Sequence, residues 1–248
     1  MKRTHILLLS VVSLALFSCD RTVKIVNGNL LMEINRHMES MINCPALQHK
    51  PIMSSFAPSE YLFYNRQEMT DFHLQRTERH PYQDGIGKGK STIIYGEYRD
   101  DGFSIRKKIT YVAYDSFPDM LLVKVVYINI GRKSMQLSGW VNSHYQIQES
   151  GDIPSFWSFQ GNSSSARMDC FSPINSVFNK KSFQGMNTSV YPGGIPLIDI
   201  WRKDAGITIA EVEFTPNTEL ALIPNCPYKP ALSVFLPVVA LVVVEIPV

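Results

Sequence analysis

The sequence contains few cysteines, and none of them lies at the close spacing that metal or redox sites use. Its 248 residues include four cysteines, Cys19, Cys44, Cys170 and Cys226, and no Cys-x-x-Cys pair. Zinc sites and dithiol redox motifs bring two cysteines within a few positions of each other, so neither is indicated. The cysteines downstream of Cys19 allow one disulfide, whose pairing the sequence leaves open.

An excess of charge of either sign is also missing. The chain has 24 Lys and Arg against 22 Asp and Glu. Removal of an N-terminal segment that contains Lys2 and Arg3 leaves 22 basic residues, so the remaining chain is formally neutral. Nucleic-acid binding depends on a basic face. A nucleic-acid partner is therefore not expected.

Signatures of nucleotide binding and serine-hydrolase chemistry are incomplete or absent. The segment from Gly85 to Ser91 places three residues between Gly85 and Gly89-Lys90-Ser91, one fewer than a phosphate-binding loop requires. No Gly-x-Ser-x-Gly elbow occurs, so a serine hydrolase lacks its usual signature. We interpret the segment as a flexible turn before a strand at Thr92, and we expect no cofactor.

A metal site is not indicated by the histidines. His73 and His80 lie close to Asp71 and Glu78 in the sequence. Their spacing matches neither the zinc-ligand patterns nor a helical i, i+4 pair. We therefore interpret this segment as a solvated, charged loop without a metal.

The N-terminal segment has the parts of a bacterial export signal. Two basic residues precede an apolar run, Ile6 to Phe17, which is too short for a permanent membrane helix of about 20 residues. The run ends in Ser18-Cys19, and this junction resembles the lipobox of bacterial lipoproteins. We predict a signal peptide over residues 1–18, a lipidated Cys19, and a lipid anchor in the bacterial cell envelope, on the periplasmic or cell-surface side. An ordinary signal peptide with an incidental cysteine is the alternative.

Residues 19–248 suit one large all-β domain, because no linker, repeat or charge block divides them. From Phe103 to Tyr111, apolar and polar residues alternate with period two, which predicts a half-buried strand. The run Met120–Ile130 is apolar on both faces and is predicted to lie between two layers. Met135–Ile147 is predicted to return beside it as the third strand of a meander.

Further strands and one tight turn complete the pattern. The strands are predicted at Leu197–Trp201, Ile207–Phe214, Leu220–Ile223 and Leu232–Leu236. Asn27-Gly28-Asn29 is a strong turn signal, which predicts a hairpin over Val23–Ile34. The sequence therefore predicts a large antiparallel β-sandwich.

Several segments follow one another in an order that one family shares. They are Pro58-Ser59-Glu60-Tyr61, Asp115-Ser116-Phe117-Pro118-Asp119, Gly139-Trp140-Val141-Asn142-Ser143-His144-Tyr145, Phe156-Trp157-Ser158-Phe159-Gln160, Gly193-Gly194-Ile195-Pro196 and Asp199-Ile200-Trp201-Arg202-Lys203-Asp204. By this ordered set, the chain from about Ile25 to Pro224 resembles the N-terminal domain of family 36-type α-galactosidases, the melibiase-like glycoside hydrolases.

The resemblance implies a β-supersandwich, a galactose mutarotase-like fold that in the family packs against a following (β/α)₈ barrel. Two aspartates of that barrel perform retaining hydrolysis of terminal α-galactosides. This sequence shows no alternation of strand and helix patterns, so no catalytic residue is expected in it. The apolar pattern of Pro237–Val248, together with the loss of resemblance from Phe235, leads us to expect a truncated C-terminal end.

The resemblance also suggests residues that border the mouth of the active site in an intact enzyme. The candidate substrate-binding residues are Asp71, Tyr191, Asp199 and Trp201. A carboxylate that binds sugar hydroxyls, beside an aromatic ring that stacks on the apolar face of the sugar, is a sensible recognition pair.

Two features weigh against some of these candidates. From the resemblance we expect an acidic residue before the tyrosine and a glycine after it, whereas Val190 and Pro192 flank Tyr191 here. Asp199 and Trp201 alternate with isoleucines along one predicted strand, which also fits core packing or a domain interface.

Three functions stay open on the sequence alone. The leading hypothesis is a non-catalytic support domain, a fragment or degenerate product of an enzyme acting on α-galactoside glycans, with contacts in a homo-oligomer also allowed. The second is a free-standing carbohydrate-binding module at the cell surface. The third is an intact enzyme with an unrecognised active site on the sandwich. The apolar end of the sequence, Val244-Glu245-Ile246-Pro247-Val248, favours the first, because a binding module is expected to end in a polar tail after its last strand.

Overall fold

The computed structural model describes residues 22–47, 51–100, 103–148, 156–160, 171–174, 180–185, 197–211, 217–225, 229–235 and 239–245. The predicted signal peptide, Cys19 and Tyr191 lie outside these residues, so the expectations for them stay predictions. Within the described ranges, no helix has the length and apolar character needed to cross a membrane.

The strands of the described residues form three antiparallel sheets. The three-stranded sheet has the order β1 (Val23–Asn27), β2 (Leu30–Ile34) and β3 (Ser40–Asn43). The six-stranded sheet has the order β13 (Lys180–Gly185), β16 (Asn217–Asn225), β17 (Lys229–Phe235), β10 (Gly139–Gln146), β4 (Tyr61–Tyr64) and β5 (Gln67–Met69). The nine-stranded sheet has the order β12 (Phe171–Ile174), β11 (Phe156–Gln160), β14 (Leu197–Arg202), β15 (Ala205–Glu211), β18 (Val239–Glu245), β9 (Met120–Asn129), β8 (Phe103–Tyr114), β7 (Lys88–Asp100) and β6 (His73–Gln83). The predicted all-β, antiparallel fold class is confirmed.

The centre of the nine-stranded sheet follows the predicted alternation. Along β8, residues from Ile105 to Tyr111 alternate between buried and half-buried positions. Ile109 is fully buried and lies in register with Ile94 of β7 and Val125 of β9. Lys107 occupies one of the inward positions of β8 and is fully buried. The sheet therefore carries a charged group on its core face.

The predicted meander is wrong in its third strand. The described chain forms the meander β6–β7–β8–β9, and the second edge of β9 pairs with β18 rather than with β10. Strand β10 crosses to the six-stranded sheet, where it pairs with β4 and β17. Strand β9 also buries only one face fully, because the side chains between Leu121, Val123 and Val125 are half-buried or exposed.

The charged segment predicted as a loop is a strand. Residues His73–Gln83 form β6, the edge strand of the nine-stranded sheet, and none of its side chains is buried. Charged side chains on an edge strand discourage pairing with another chain, which explains this composition. Strand β7 already begins at Lys88, so the turn is confined to residues around Asp84, whose Oδ1 accepts hydrogen bonds from Ile86 N and Gly87 N at 2.9 and 3.2 Å.

The apolar core draws on all three sheets. It includes Leu30 and Ile42 of the three-stranded sheet, Leu62 and Tyr145 of the six-stranded sheet, and Ile109, Val123 and Ile207 of the nine-stranded sheet. The predicted hairpin at Val23–Ile34 is confirmed as β1 and β2, with Gly28 at φ 59° in the turn. This hairpin and β3 lie over the sandwich, and the turn after β2 reaches the start of β6.

Candidate functional site

The turn between β2 and β3 places His37 next to the start of β6. The side-chain Oδ1 of Asn35 accepts hydrogen bonds from the backbone N of His37 at 2.9 Å and of Glu39 at 3.1 Å. The carbonyl of Arg36 accepts a hydrogen bond from Leu74 N at 2.8 Å, which joins this turn to β6. The backbone on both sides of His37 is therefore fixed by short-range and long-range bonds.

Phe72 anchors the segment that carries Asp71 and His73. Its side chain is fully buried, with ring centroids 5.8 Å from Tyr98 and 5.9 Å from Tyr127. The Nζ of Lys107 lies 4.7 Å from the Phe72 ring centroid. Because Phe72 is held in the core, its two neighbours, Asp71 and His73, are presented at the surface.

Asp71 lies between two histidines. Its Oδ1 is 3.2 Å from Nδ1 of His37, and its Oδ2 is 3.4 Å from Nε2 of His73. The two imidazole rings have centroids 5.4 Å apart. The three side chains are between 38% and 65% exposed, so solvent and dissolved ions reach all of them.

Asp71 and His73 also border an open groove of about 360 Å³, whose lining includes the end of β7 from Glu97 to Asp100. Glu97 receives hydrogen bonds from Arg99 at 2.6 Å and Arg106 at 2.7 Å. These bonds, that of Arg99 first, hold the pKa of the Glu97 carboxyl below its usual value. The groove thus carries ionised donors and acceptors that suit a polyhydroxylated ligand.

The other described candidates lie on β14. Asp199 is half-buried, and its Oδ1 accepts a hydrogen bond from the hydroxyl of Thr208 on β15 at 3.0 Å. Trp201 is half-buried and is the direct register partner of Trp157 on β11, which is 41% exposed. Ile200, between them, is buried in the core. Asp199 and Trp201 therefore occupy the outward face of β14 rather than the core.

The structure does not bring the predicted residues into one site. Asp71 adjoins β6 at one edge of the nine-stranded sheet, and β14 lies six strands away in the same sheet. At about 4.8 Å per strand, this separation amounts to roughly 29 Å along the sheet. Asp71 and the pair Asp199 and Trp201 are two separate surfaces.

Sequence reasoning missed His37, Glu97 and Arg99. His37 precedes Asp71 by 34 positions and lies in the turn between β2 and β3, so no local spacing links the two. Glu97 and Arg99 alternate near the end of β7, and in the sequence they resemble any solvated pair, although Glu97 is buried in the structure. Only the pairing of the turn after β2 with β6 brings these groups together.

One strongly perturbed pair lies inside the sandwich. Burial lowers the pKa of Lys107 to about 8 and raises the pKa of Glu60, whose carboxylate Oε2 lies 3.9 Å from Lys107 Nζ. Perturbed pKa values often mark active sites. Both side chains are only 1% exposed, however, so the pair does not meet a substrate from solvent in this structure.

Comparison with known proteins yields matches to solved structures. No model of a protein family matches the sequence, and no curated protein matches it. AgaA, a GH36 α-galactosidase from Geobacillus stearothermophilus, has a TM-score of 0.63 at 9% identity, over 91% of this chain and 41% of the enzyme. The galactosidase domain of the α-galactosidase–sucrose kinase AgaSK has a TM-score of 0.63 at 8% identity, over 92% and 41%. The fold is shared with family 36 α-galactosidases.

A third similar structure is the α-N-acetylgalactosaminidase NagBb from Bifidobacterium bifidum, with a TM-score of 0.57 at 8% identity, over 90% of this chain and 36% of that one. A double variant of AgaA has been solved in complex with raffinose. This chain spans about two fifths of the length of the α-galactosidase structures that it matches. At these identities the likeness concerns the fold, and the family resemblance predicted from the sequence is confirmed at that level.

Proposed function

We propose that this chain is the non-catalytic β-supersandwich part of a glycoside hydrolase that acts on terminal α-galactosides. The observation that carries the proposal is the match to GH36 α-galactosidases over 91% of this chain but only 41% of the enzyme. In retaining glycosidases two carboxylates flank the scissile bond, and the family resemblance places them on a barrel. The regular elements among the described residues are all strands. The proposed role is therefore to support a catalytic barrel.

The envelope location is part of the same proposal. The basic start, the apolar run and the Ser18-Cys19 junction support export and lipidation of Cys19. An anchored hydrolase would meet α-galactoside glycans on the periplasmic or outer side of a membrane.

The described candidate substrate-binding residues have two different proposed roles. Asp71, beside the open groove, is our candidate for contact with a sugar hydroxyl in the assembled enzyme. Asp199 and Trp201 lie on a separate surface, where they serve an interface with the barrel or another subunit. A single sugar ring does not bridge the two surfaces, because about six strands separate them.

One observation favours a second function, carbohydrate capture without catalysis. Trp157 and Trp201 are direct cross-strand partners, and Trp157 is 41% exposed. Directly opposed residues project from the same face of a sheet with Cβ atoms about 5 Å apart. Two adjacent indoles on an outer face form a surface on which sugar rings stack.

Two measurements on the purified, signal-free chain test these functions. The first is nitrophenol release from a nitrophenyl α-galactoside, and the second is calorimetric titration with galactose and melibiose. A support domain gives neither turnover nor binding. Binding without turnover, weakened by Trp201→Ala and retained by the control Trp140→Ala, supports capture instead. Trp140 is a matched control because it is 41% exposed and lies on β10, in the six-stranded sheet. Turnover that survives repurification contradicts both.

A further inference from the structure

We propose that His37, Asp71 and His73 form a binding site for one divalent transition-metal ion of the zinc type. The three residues come from two parts of the chain, the turn after β2 and the start of β6. The proposal does not rest on the proposed function, because binding of a metal ion by these side chains requires no sugar and no barrel.

The geometry of the three side chains suits a tetrahedral ion. One ligand atom from each residue lies within 4.8 Å of the other two. Ligand bonds of about 2.1 Å at tetrahedral angles place neighbouring ligand atoms about 3.4 Å apart. Asp71 Oδ1 lies 3.2 Å from His37 Nδ1, and Asp71 Oδ2 lies 3.4 Å from His73 Nε2, so each carboxylate oxygen is at this edge length from one imidazole. With a single Asp71 oxygen as ligand, the three ligand atoms lie within 4.8 Å, and rotation of these solvent-accessible side chains would bring them to the tetrahedral spacing.

The donor set selects the class of metal. Two imidazole nitrogens and one carboxylate oxygen are typical zinc ligands, and three protein ligands leave a fourth position for water. Calcium and magnesium prefer sets made of oxygen atoms only, so they are poor occupants here. Asp71 and His73 border the open groove, so the fourth position is accessible to solvent.

The backbone around the ligands is already organised. Asn35 holds the turn that carries His37 through two hydrogen bonds to backbone N–H groups. Buried Phe72 fixes the spacing of Asp71 and His73 on either side of it. A bound ion would therefore mainly restrain side chains, and it would tie the β2–β3 turn to the edge strand β6.

One neighbouring residue, Arg36, disfavours binding of the ion to His37. The Nε of Arg36 donates a hydrogen bond to Nε2 of His37 at 3.0 Å, which leaves the imidazole proton on Nδ1, facing Asp71. A metal on Nδ1 displaces that proton, Nε2 then carries hydrogen, and Arg36 must turn away. Its side chain is exposed and free to do so. Removal of Arg36 should therefore tighten binding, since it removes both a competing hydrogen bond and a positive charge.

The test is calorimetric titration of the untagged chain with zinc chloride, with calcium and magnesium chlorides as ion controls. We expect one zinc site and no calcium or magnesium site. Loss of a hydrogen-bond partner of a metal ligand lowers metal affinity by about 10–100-fold. Loss of a ligand itself should lower the affinity at least as much. We therefore expect His37→Gln and His73→Gln each to weaken zinc binding by at least about tenfold. His80→Gln is the matched control: His80 lies on the same strand, is 55% exposed and has Glu78 as neighbour, yet it should leave the affinity unchanged.

A second readout separates a lost ligand from a damaged fold. Zinc should raise the thermal midpoint of the parent chain and of His80→Gln, but not that of His37→Gln or His73→Gln, while the metal-free midpoints stay alike. Arg36→Met should bind zinc several-fold more tightly than the parent. Absence of a saturable zinc site, or equal affinity in the ligand variants and the parent, overturns the proposal. The cluster is then a carboxylate shared between two histidines.

Discussion

Lys107 and Glu60 form an ion pair between the two large sheets, with no access to solvent. Lys107 Nζ donates a hydrogen bond to the backbone carbonyl of Glu60 at 2.9 Å and lies over the ring of Phe72. The hydroxyl oxygens of Tyr111, Tyr127 and Tyr145 are also buried. Burial first, and then the charge of the Glu60 carboxylate, raise the pKa of each of these tyrosines well above its usual value. The Lys107–Glu60 pair therefore lies at the centre of a group of buried polar side chains.

Removal of one member of this pair should be far more damaging than removal of both. Glu60→Leu leaves the Lys107 ammonium without its carboxylate, and Lys107→Met leaves the carboxyl without its cation. Each single change is expected to cost about 3–5 kcal/mol of unfolding free energy. The double variant Glu60→Leu with Lys107→Met should cost much less, because no unpaired charge stays buried. Urea unfolding of all four proteins measures the coupling, and additive costs would contradict it.

The lowered pKa of Lys107 makes stability depend on pH in the alkaline range. In the folded chain Lys107 releases its proton at about pH 8, whereas an unfolded lysine holds it until about pH 10.4. Between these values the unfolded state binds more protons, so the unfolding free energy rises with pH, by up to about 1.4 kcal/mol per pH unit.

Urea unfolding at pH 8 to about 9.5, below the range in which exposed tyrosines ionise, checks this slope. The parent should gain stability relative to Lys107→Met across that window. A constant difference between the two proteins would show that Lys107 does not titrate there.

At the scale of strands, local sequence patterns predict that a strand forms better than they predict which strands it pairs with. The alternation in Phe103–Tyr111 reports which side chains face the core, and β8 forms as predicted. The pattern of Met135–Ile147 predicts a strand but carries no information about the sheet that this strand joins, so the predicted neighbour of β10 is wrong. The charged residues of β6 suggest a loop, because an exposed edge strand buries few side chains and so lacks the alternation of apolar and polar residues that marks a strand.

The turn between β1 and β2 requires glycine for two reasons. Gly28 has a φ of 59°, and a Cβ at this position would collide with Oδ1 of Asp119. Gly28→Ala should therefore destabilise the chain by about 1–3 kcal/mol, through backbone strain and displacement of Asp119. Gly85→Ala is the matched control, because a Cβ there has no neighbour within 4 Å. Denaturant midpoints measure both, and equal midpoints would contradict the close approach.

At the scale of the whole molecule, the ordered family segments predicted the supersandwich, whereas the cluster around Asp71 was only partly predictable. The resemblance predicts Asp71, but His37 approaches it from the turn between two strands of the three-stranded sheet. Contacts between distant segments are set by sheet packing, which no residue spacing in the sequence encodes. The separation of Asp71 from Trp201 follows from the strand order for the same reason.

Lipidation of Cys19 is a prediction for the whole exported chain. Expression in a bacterial host supplied with an alkyne-labelled palmitate should yield labelled protein in the membrane fraction. Cys19→Ser should lose the label and the membrane association. Cys44→Ser is the control and should keep both, because Cys44 is buried in the fold. Label that persists in Cys19→Ser would contradict the predicted anchor.

The central claim, that this supersandwich supports a glycosidase and does not act alone, is tested most directly by α-galactosidase activity in an immunoprecipitate from the native envelope. An antibody against the purified chain would recover the protein together with any barrel linked or bound to it. We predict that the precipitate hydrolyses a nitrophenyl α-galactoside while the purified chain does not. An inactive precipitate that contains the chain alone, or a purified chain with the same activity as the precipitate, would contradict the account.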